Sequence, residues 1–204
     1  MNIVFINGFL ANSKTWDKVI NNLNHSDKTK CYFIEFPNEL YLSLNLLEIS
    51  NYIAIKINNL NLKNIVLVGH SIGGLYAILY TKSYQKNIKK LILVDPSFHH
   101  EFSDECLMEE LSKVLSEFKK KVYTLWMKHK SEQLIQNELS SSIDFHIPVI
   151  IHHNILKNSK TVFEDFDIMR KMTIYNVKSK IVAYYDYIHM IHQKRHQHIV
   201  ESIL

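Results

Sequence analysis

The amino-acid sequence predicts an α/β protein with a mostly parallel central sheet of about six strands, flanked by helices. Short runs of aliphatic and aromatic residues recur along the chain, and the stretches between them carry apolar residues at helical spacing. Strands that alternate with helices favour a parallel sheet with right-handed crossovers. The strand-like runs are residues 3–6, 32–36, 65–68, 91–94, 149–151 and 181–184.

Helices are predicted in the segments that join these runs. Ser13 is a candidate N-cap, because a serine side chain can accept a hydrogen bond from a free N–H group of the first turn. The apolar residues after it follow a helical repeat: Trp16, Val19, Ile20 and Leu23. Residues 44–60 are largely apolar and too long for one strand, so they predict a second helix.

A longer segment, residues 97–147, lacks a convincing strand and separates two strand-like runs. Its apolar residues keep a helical repeat over much of its length: Leu107, Leu111, Val114, Leu115, Phe118, Val122 and Leu125. We expect these helices to form a small cap above the carboxyl end of the sheet, within a single domain that spans residues 1–204. The alternative is an ordinary crossover helix that packs on one face of the sheet.

The composition excludes several classes of protein. The chain is 47% hydrophobic with only 4 glycines and 3 prolines, which is typical of one folded domain. Its net charge of +4 is modest, and the three lysines at 119–121 lie on a predicted amphipathic helix, so nucleic-acid binding is not expected. No apolar run approaches the ~20 residues of a membrane span. The chain also begins in a strand rather than a leader, and Cys31 and Cys106 are expected to be reduced, so the expected location is the cytoplasm.

Residues 65–74 contain the most informative motif. Four aliphatic residues, typical of a buried parallel strand, run into Gly-His-Ser-Ile-Gly-Gly. Gly69 and Gly73 leave room for a sharp turn from strand to helix, so Ser71 is expected to stand at the carboxyl end of the sheet as a nucleophile. The N–H group of Ile72, at the start of the new helix, would point at the oxygen of a tetrahedral intermediate. The alternative is a glycine-rich turn whose serine only caps the helix.

This turn is one of three motifs through which the chain resembles the α/β-hydrolase family, and the resemblance covers most of its length. Residues 69–73 resemble the family's nucleophile elbow. Phe-Ile-Asn-Gly-Phe-Leu at residues 5–10, followed by Ser13 and Trp16, is similar to the family's strand-His-Gly loop, with Asn7 where histidine is usual. The resemblance implies that the backbone N–H of Phe9 is the second oxyanion donor.

The third motif is Ile-His-Met-Ile-His at residues 188–192, which resembles the family's Gly-His segment after the last strand. The resemblance implies that His189 is the general base. Such a base is required because a serine hydroxyl is a weak nucleophile at neutral pH, and a neutral imidazole can take its proton and return it to the leaving group.

Other histidines have weaker claims. His192 and His196 are spaced i, i+4 on the predicted last helix, but no glutamate completes a His-Glu-x-x-His pattern, so no metal site is expected. His70 is expected to pack beside the turn rather than act as base. His152 and His153 end a strand on the same edge as the nucleophile, so either could face the pocket.

The third member of the catalytic triad is a carboxylate that holds His189 in the correct tautomer. The resemblance implies its position through a pattern found in a minority of the family. The usual position, after the strand preceding the histidine-bearing strand, falls in residues 152–158, which contain no acid. A minority of members place the acid one strand earlier, and that position here is Asp95. The alternative for Asp95 is a loop-capping role before Pro96. Competing candidates are Asp165, Asp167, Asp186 and, as an uncharged substitute, Asn158.

These motifs together predict a serine hydrolase that cleaves an ester or thioester of a small to medium apolar acyl substrate, with a small-molecule substrate as its partner and without a cofactor. Related reactions on the same fold stay open, namely carbon–carbon bond hydrolysis, acyl transfer and hydroxynitrile elimination, because fold does not determine reaction. A different class also stays open: Asn7 and the unusual position of the acid are compatible with a non-enzymatic ligand-binding protein.

Overall fold

The computed structural model describes residues 1–8, 11–23, 29–37, 40, 46–96, 143–155, 162–185 and 190–204. These residues build a six-stranded sheet in the order β2-β1-β3-β4-β5-β6, in which every neighbouring pair is parallel. The strands are β1 (Asn2–Ile6), β2 (Lys30–Ile34), β3 (Ile65–His70), β4 (Ile88–Val94), β5 (Val149–Asn154) and β6 (Lys180–Tyr184). The predicted α/β class is confirmed.

Strand ends differ from the sequence prediction in both directions: β2 ends at Ile34 rather than at Phe36, whereas the pairing of β3 and β5 continues beyond their apolar runs. β3 reaches His70, because pairing with β4 continues to Val94. β5 reaches Asn154 for the same reason, since that residue still pairs with Tyr184 of β6. Backbone hydrogen bonds form whether the side chain is polar or apolar. A pattern of aliphatic residues therefore underestimates the length of a central strand.

Helices connect the strands and cover both faces of the sheet. They are α1 (Asp17–Leu23), α2 (Leu46–Asn59), α3 (Ile72–Tyr84), α4 (Val162–Thr173), α5 (Ile191–Lys194) and α6 (His196–Ile203), with 3₁₀ turns at Ser13–Trp16 and Gln85–Asn87. The predicted helix over residues 44–60 corresponds to α2.

The predicted N-cap at Ser13 is wrong by one residue. Asn12 caps the turn: its backbone is extended (φ −113°, ψ 176°), and its side chain accepts a hydrogen bond from the N–H of Lys14. Ser13 is instead the first residue of the 3₁₀ turn. Asparagine and serine are both good caps, and the adjacent asparagine has the non-helical backbone that a cap requires.

Two hydrophobic clusters lie on opposite faces of the sheet. On one face, Leu67 of β3 packs with residues of α2, α3 and α4. On the other face, its neighbour Val68 packs with residues of α1, α5 and α6. All six residues of β3 are buried, as expected for a parallel strand covered on both sides.

Because the strands are parallel, their carboxyl ends share one edge of the sheet. Asn7, Ser71 and Asp95 follow β1, β3 and β4 directly, so this edge gathers polar residues from three neighbouring strands. Most of the predicted cap, residues 97–142, lies outside the described residues. Its last part, residues 143–147, lies at the opposite edge, where Gln85 before β4 bonds to the backbone of Asp144 and His146 before β5.

Within the described ranges, each helix is too short or too polar to cross a bilayer.

Candidate active site

Ser71 occupies a strained turn between β3 and α3. Its backbone has φ 55° and ψ −127°, a conformation that residues with a β-carbon rarely adopt and that costs about 1–3 kcal/mol. The turn is held by two hydrogen bonds, because the N–H of Ser71 donates to the carbonyl of Val94 (3.0 Å) and its own carbonyl accepts from Gly74 (2.9 Å). Ser71 is 4% exposed. Strain of this kind persists where the surrounding structure enforces it, and it is characteristic of functional sites.

The glycines on both sides of Ser71 are required by close backbone contacts. A β-carbon on Gly73 would overlap the carbonyl oxygens of Ile6 and Asn7, so the first turn of α3 lies directly against the end of β1. A β-carbon on Gly69 would lie 2.5 Å from the carbonyl oxygen of Gly73. Each glycine of the Gly-x-Ser-x-Gly motif therefore has a steric reason, which a chance match to the motif would lack.

The end of β1 lies beside the serine. A β-carbon built on Gly8 would be 3.2 Å from Cβ of Ser71 and 2.8 Å from Nδ1 of His70. The carbonyl of Gly8 accepts a hydrogen bond from the N–H of Ala11 (3.1 Å). Ile72, the predicted first oxyanion donor, is the first residue of α3. Phe9, the predicted second donor, lies outside the described residues.

Asp95 follows β4 at the same edge, 5% exposed and with a positive φ of 47°. Its Oδ1 accepts a hydrogen bond from the backbone N–H of Asn154 (2.9 Å) and lies 3.3 Å from Nδ1 of His153. Its own N–H donates to the carbonyl of His152 (2.6 Å). The carboxylate is therefore held against the end of β5, the strand after which the family's usual acid position falls.

The competing aspartates are placed differently. Asp167 lies on α4, where its carboxylate is 2.7 Å from Lys171 Nζ and 3.2 Å from Arg170 Nη2. Hydrogen bonds from Lys171 and then Arg170 hold the pKa of Asp167 below its usual value. Its side chain is 45% exposed, so it is engaged at the surface. Asp186, Asn158 and the side chain of Asp165 lie outside the described part of the chain.

His189, the predicted base, also lies outside the described residues. The two histidines at the end of β5, His152 and His153, are described, and their side chains have different partners. Successive side chains of a strand point to opposite faces. His153 contacts Asp95, whereas His152 contacts the hydroxyls of Tyr184 (Nδ1, 2.8 Å) and Ser202 (Nε2, 2.9 Å). The side chain of His152 therefore links β5 to β6 and α6, and only its backbone carbonyl is bonded to Asp95.

Burial makes His152 a source of acid sensitivity. Desolvation, with smaller contributions from Lys180 and His198, lowers the pKa of His152 to about 3. The unfolded chain binds a proton near pH 6.5, so the stability that neutral His152 contributes is complete above that pH and falls by about 1.4 kcal/mol per unit below it.

We therefore expect His152→Gln to be less stable than the native chain at pH 7.5 but to lose less stability on acidification to pH 5. Urea unfolding at the two pH values measures the difference, which is expected to be about 2 kcal/mol from this residue alone. If both proteins lost the same free energy of unfolding between pH 7.5 and pH 5, His152 would not be the source of acid sensitivity.

Two further histidines lie in an aromatic cluster behind Ser71. His70 is 3% exposed and packs beside the turn, as expected, with its ring 4.4 Å from that of His192. His192 is fully buried and packs against Trp16, with ring centroids 4.3 Å apart and the rings tilted by 33°. Among the described residues, no three histidine, cysteine or acidic side chains are grouped so that they could hold a metal ion.

Sequence reasoning missed two contacts. One is the approach of His153 to Asp95, and the other is a buried hydrogen bond from Trp16 Nε1 to Asn7 Oδ1 (2.8 Å). The first follows from the parallel register of β4 and β5, in which Val94 pairs with His152, so that the next residues along both strands meet. A correct pairing of these strands would have predicted it. The second has no signal in the sequence beyond the motif that contains both residues.

Known proteins resemble the chain in sequence and fold. A family model described as alpha/beta hydrolase fold matches residues 2–130. The pimeloyl-[acyl-carrier protein] methyl ester esterase of Wigglesworthia glossinidia brevipalpis is 34% identical over 101 residues. These are 48% of this chain but only 37% of the esterase, so the match spans little more than a third of that relative.

Solved structures of other proteins share the fold of this chain over nearly its whole length. An alpha/beta hydrolase enzyme from the sediment metagenome of the Mar Chica lagoon, Morocco, is 18% identical, with a TM-score of 0.73 over 98% of this chain and 87% of its own. The thioesterase domain from the curacin biosynthetic pathway is 17% identical, with a TM-score of 0.68 over 99% of this chain and 90% of its own. At such identities these structures show the fold alone. Since the family model covers well over half of the sequence, and the strand order and serine turn agree with it, the protein belongs to the α/β-hydrolase fold family.

Proposed function

We propose that the protein is a serine hydrolase that cleaves an ester or thioester of a small to medium apolar acyl substrate through an acyl-enzyme. The observation that carries the proposal is the strained turn at Ser71, between a fully buried strand and a helix. Its N–H is bonded to the carbonyl of Val94, the residue before Asp95, so the proposed nucleophile and acid follow adjacent strands at one edge.

The proposed reaction has two steps. Ser71 Oγ attacks the substrate carbonyl carbon while His189 takes the hydroxyl proton, and the carbonyl oxygen becomes an oxyanion. The N–H groups of Ile72 and Phe9 bind this oxyanion, and one such donor is worth about 3 kcal/mol of the barrier. His189 then gives its proton to the departing alkoxide or thiolate. Water attacks the acyl-enzyme with His189 again as base, which releases the carboxylic acid and restores the serine hydroxyl.

Asp95 is proposed as the acid that holds His189 in the correct tautomer. Its carboxylate is buried at the edge of the sheet that carries Ser71, and it accepts a hydrogen bond from the N–H of Asn154. Asp167 is unsuited because its carboxylate is bound by two cations on the exposed face of α4. The proposed steps use only side-chain and backbone groups of this chain, the substrate and water. The proposal therefore includes neither a metal nor a cofactor.

The names of similar proteins support the bond type. The curated relative is named as an esterase of a pimeloyl-[acyl-carrier protein] methyl ester, and one structural neighbour is named as a thioesterase domain. Both substrates are acyl compounds with an oxygen or sulfur leaving group. The expected cytoplasmic location remains part of the proposal.

Covalent labelling tests the proposal. The native chain is exposed to a fluorophosphonate probe, and intact mass and peptide mapping locate the adduct; p-nitrophenyl esters and acyl thioesters of increasing chain length are then assayed. We expect one adduct, on Ser71, together with ester or thioester turnover, and loss of the adduct in His189→Ala.

The other outcomes correct the proposal in distinct ways. An adduct on Ser71 with turnover of a diketone but of no ester would change the reaction to carbon–carbon cleavage. Absence of the adduct in a folded chain that binds an apolar ligand tightly would overturn the enzymatic function in favour of ligand binding.

A further inference from the structure

We propose that Trp16 is a positioning residue that ties together the three segments carrying the proposed catalytic groups. It lies in a buried cluster with Asn7, His70 and His192, here called the Trp16 cluster. The inference rests on the proposed function for its catalytic consequence, but the mechanical link that it describes can be measured without turnover.

Each partner of Trp16 adjoins a different catalytic segment. Asn7 directly follows β1 and precedes Gly8, which lies beside Ser71. His70 is the residue directly before Ser71. His192 follows the proposed base, His189, by three residues and lies in α5. The cluster thus joins, at a single indole ring, three residues that are close in sequence to the proposed oxyanion donor Phe9, the nucleophile Ser71 and the base His189.

The first link is the hydrogen bond from Trp16 Nε1 to Asn7 Oδ1, 2.8 Å long. Trp16 is fully buried and Asn7 is 2% exposed, so loss of the indole N–H would leave a buried carbonyl without its donor. Asn7 occupies the position where the resemblance calls for histidine. In this chain the short amide is therefore oriented by the tryptophan.

The second link is a set of ring contacts. The indole lies 4.3 Å from the ring of His192 at 33° and 6.3 Å from the ring of His70 at 88°. The two imidazoles are themselves 4.4 Å apart. The ring of Phe5 also packs against the indole, with ring centroids 4.8 Å apart. Closely packed rings transmit displacement because the interior has no free volume to absorb it, so a shift of the indole moves both imidazoles.

A misplacement of about 1 Å in a catalytic geometry can cost up to 100-fold in rate. Trp16→Phe keeps an aromatic ring for His192 and removes the N–H that orients Asn7. We therefore expect kcat for ester hydrolysis and the rate of fluorophosphonate labelling to fall about 10- to 100-fold, with KM within about twofold of native.

Phe145→Leu is the matched control. Phe145 is 1% exposed in the hydrophobic cluster on the other face and lies at the opposite edge of the sheet, so its loss destabilises the core without touching the Trp16 cluster. Thermal unfolding is measured for both variants. The proposal requires the rate loss in Trp16→Phe to exceed that in Phe145→Leu, even where the control loses as much stability. Equal rate losses would assign Trp16 to core packing alone and overturn the proposal.

Hydrogen–deuterium exchange tests the link independently of activity. We expect Trp16→Phe to raise exchange in peptides covering residues 6–11, 69–74 and 188–194, and Phe145→Leu to leave those three regions at native rates. A change confined to residues 6–17 would overturn the proposal. If the native chain neither labels nor hydrolyses esters while all three regions respond, the proposed function fails and the link between the segments stands.

Discussion

Ser71→Ala is expected to abolish fluorophosphonate labelling and to lower ester turnover by about five orders of magnitude or more. The physical reason is that the alanine chain lacks the oxygen that forms the acyl-enzyme, while the rest of the site is retained. Both residues carry a β-carbon, so the strained backbone at φ 55° is the same in the two chains. Intact-mass spectrometry and the ester assay measure the effect directly.

Ser71→Gly is the informative companion. Glycine adopts positive φ without a steric penalty, so this variant is expected to be more stable than Ser71→Ala by about 1 kcal/mol while being equally inactive. Urea unfolding of the two variants measures that difference. Equal stabilities would mean that the turn stores no strain, and retained turnover in Ser71→Ala would remove Ser71 from the mechanism.

Asp95→Asn is expected to lower kcat by about 10⁴-fold with the fold intact. The amide loses the negative charge that stabilises protonated His189 and can hold the imidazole in the wrong tautomer. Asparagine is the appropriate replacement because its side-chain oxygen can still accept the hydrogen bond from the N–H of Asn154. Steady-state kinetics and circular dichroism are the measurements.

Asp167→Asn is the control for that experiment. Asp167 is an exposed carboxylate on α4 paired with Lys171 and Arg170, and exposed ion pairs contribute little to stability because water screens them. Turnover within about twofold of native is expected for this variant. If Asp95→Asn also turned over at a near-native rate, another group would have to orient His189, and the assignment of Asp95 would be withdrawn.

Several features of the chain could be predicted from the sequence because they depend on neighbours along it. The alternation of strands and helices follows from local hydrophobic periodicity, and it led to the correct class of sheet. The turn at Ser71 follows from a strand, a serine and flanking glycines within ten residues. Local patterns predict the position of a helix cap only to within a residue: the cap predicted at Ser13 lies at Asn12.

Other features depend on which distant elements become neighbours. The sequence left Asp95 and Asp167 as competitors for the proposed acid, and the tertiary structure gives the two carboxylates different surroundings. β4 and β5 pair in a register that brings Asp95 to Asn154, 59 positions away, whereas Asp167 lies at the surface of α4. Likewise, His152 and His153 were equivalent in the sequence. Their opposite orientations place one against α6 and the other against Asp95.

The Trp16 cluster is the clearest case of the second kind. Asn7 and Trp16 come from one motif, and His70 and His192 come from two distant parts of the chain. They meet only because the 3₁₀ turn before α1 packs with α5 on the same face of the sheet. The sequence alone determined the α/β class, the serine turn and the order of the segments proposed to be catalytic, since periodicity and turn chemistry act over a few residues. The tertiary structure alone decided which carboxylate, histidine and aromatic side chains surround that turn, because strand register and helix packing are set by burial of the whole core.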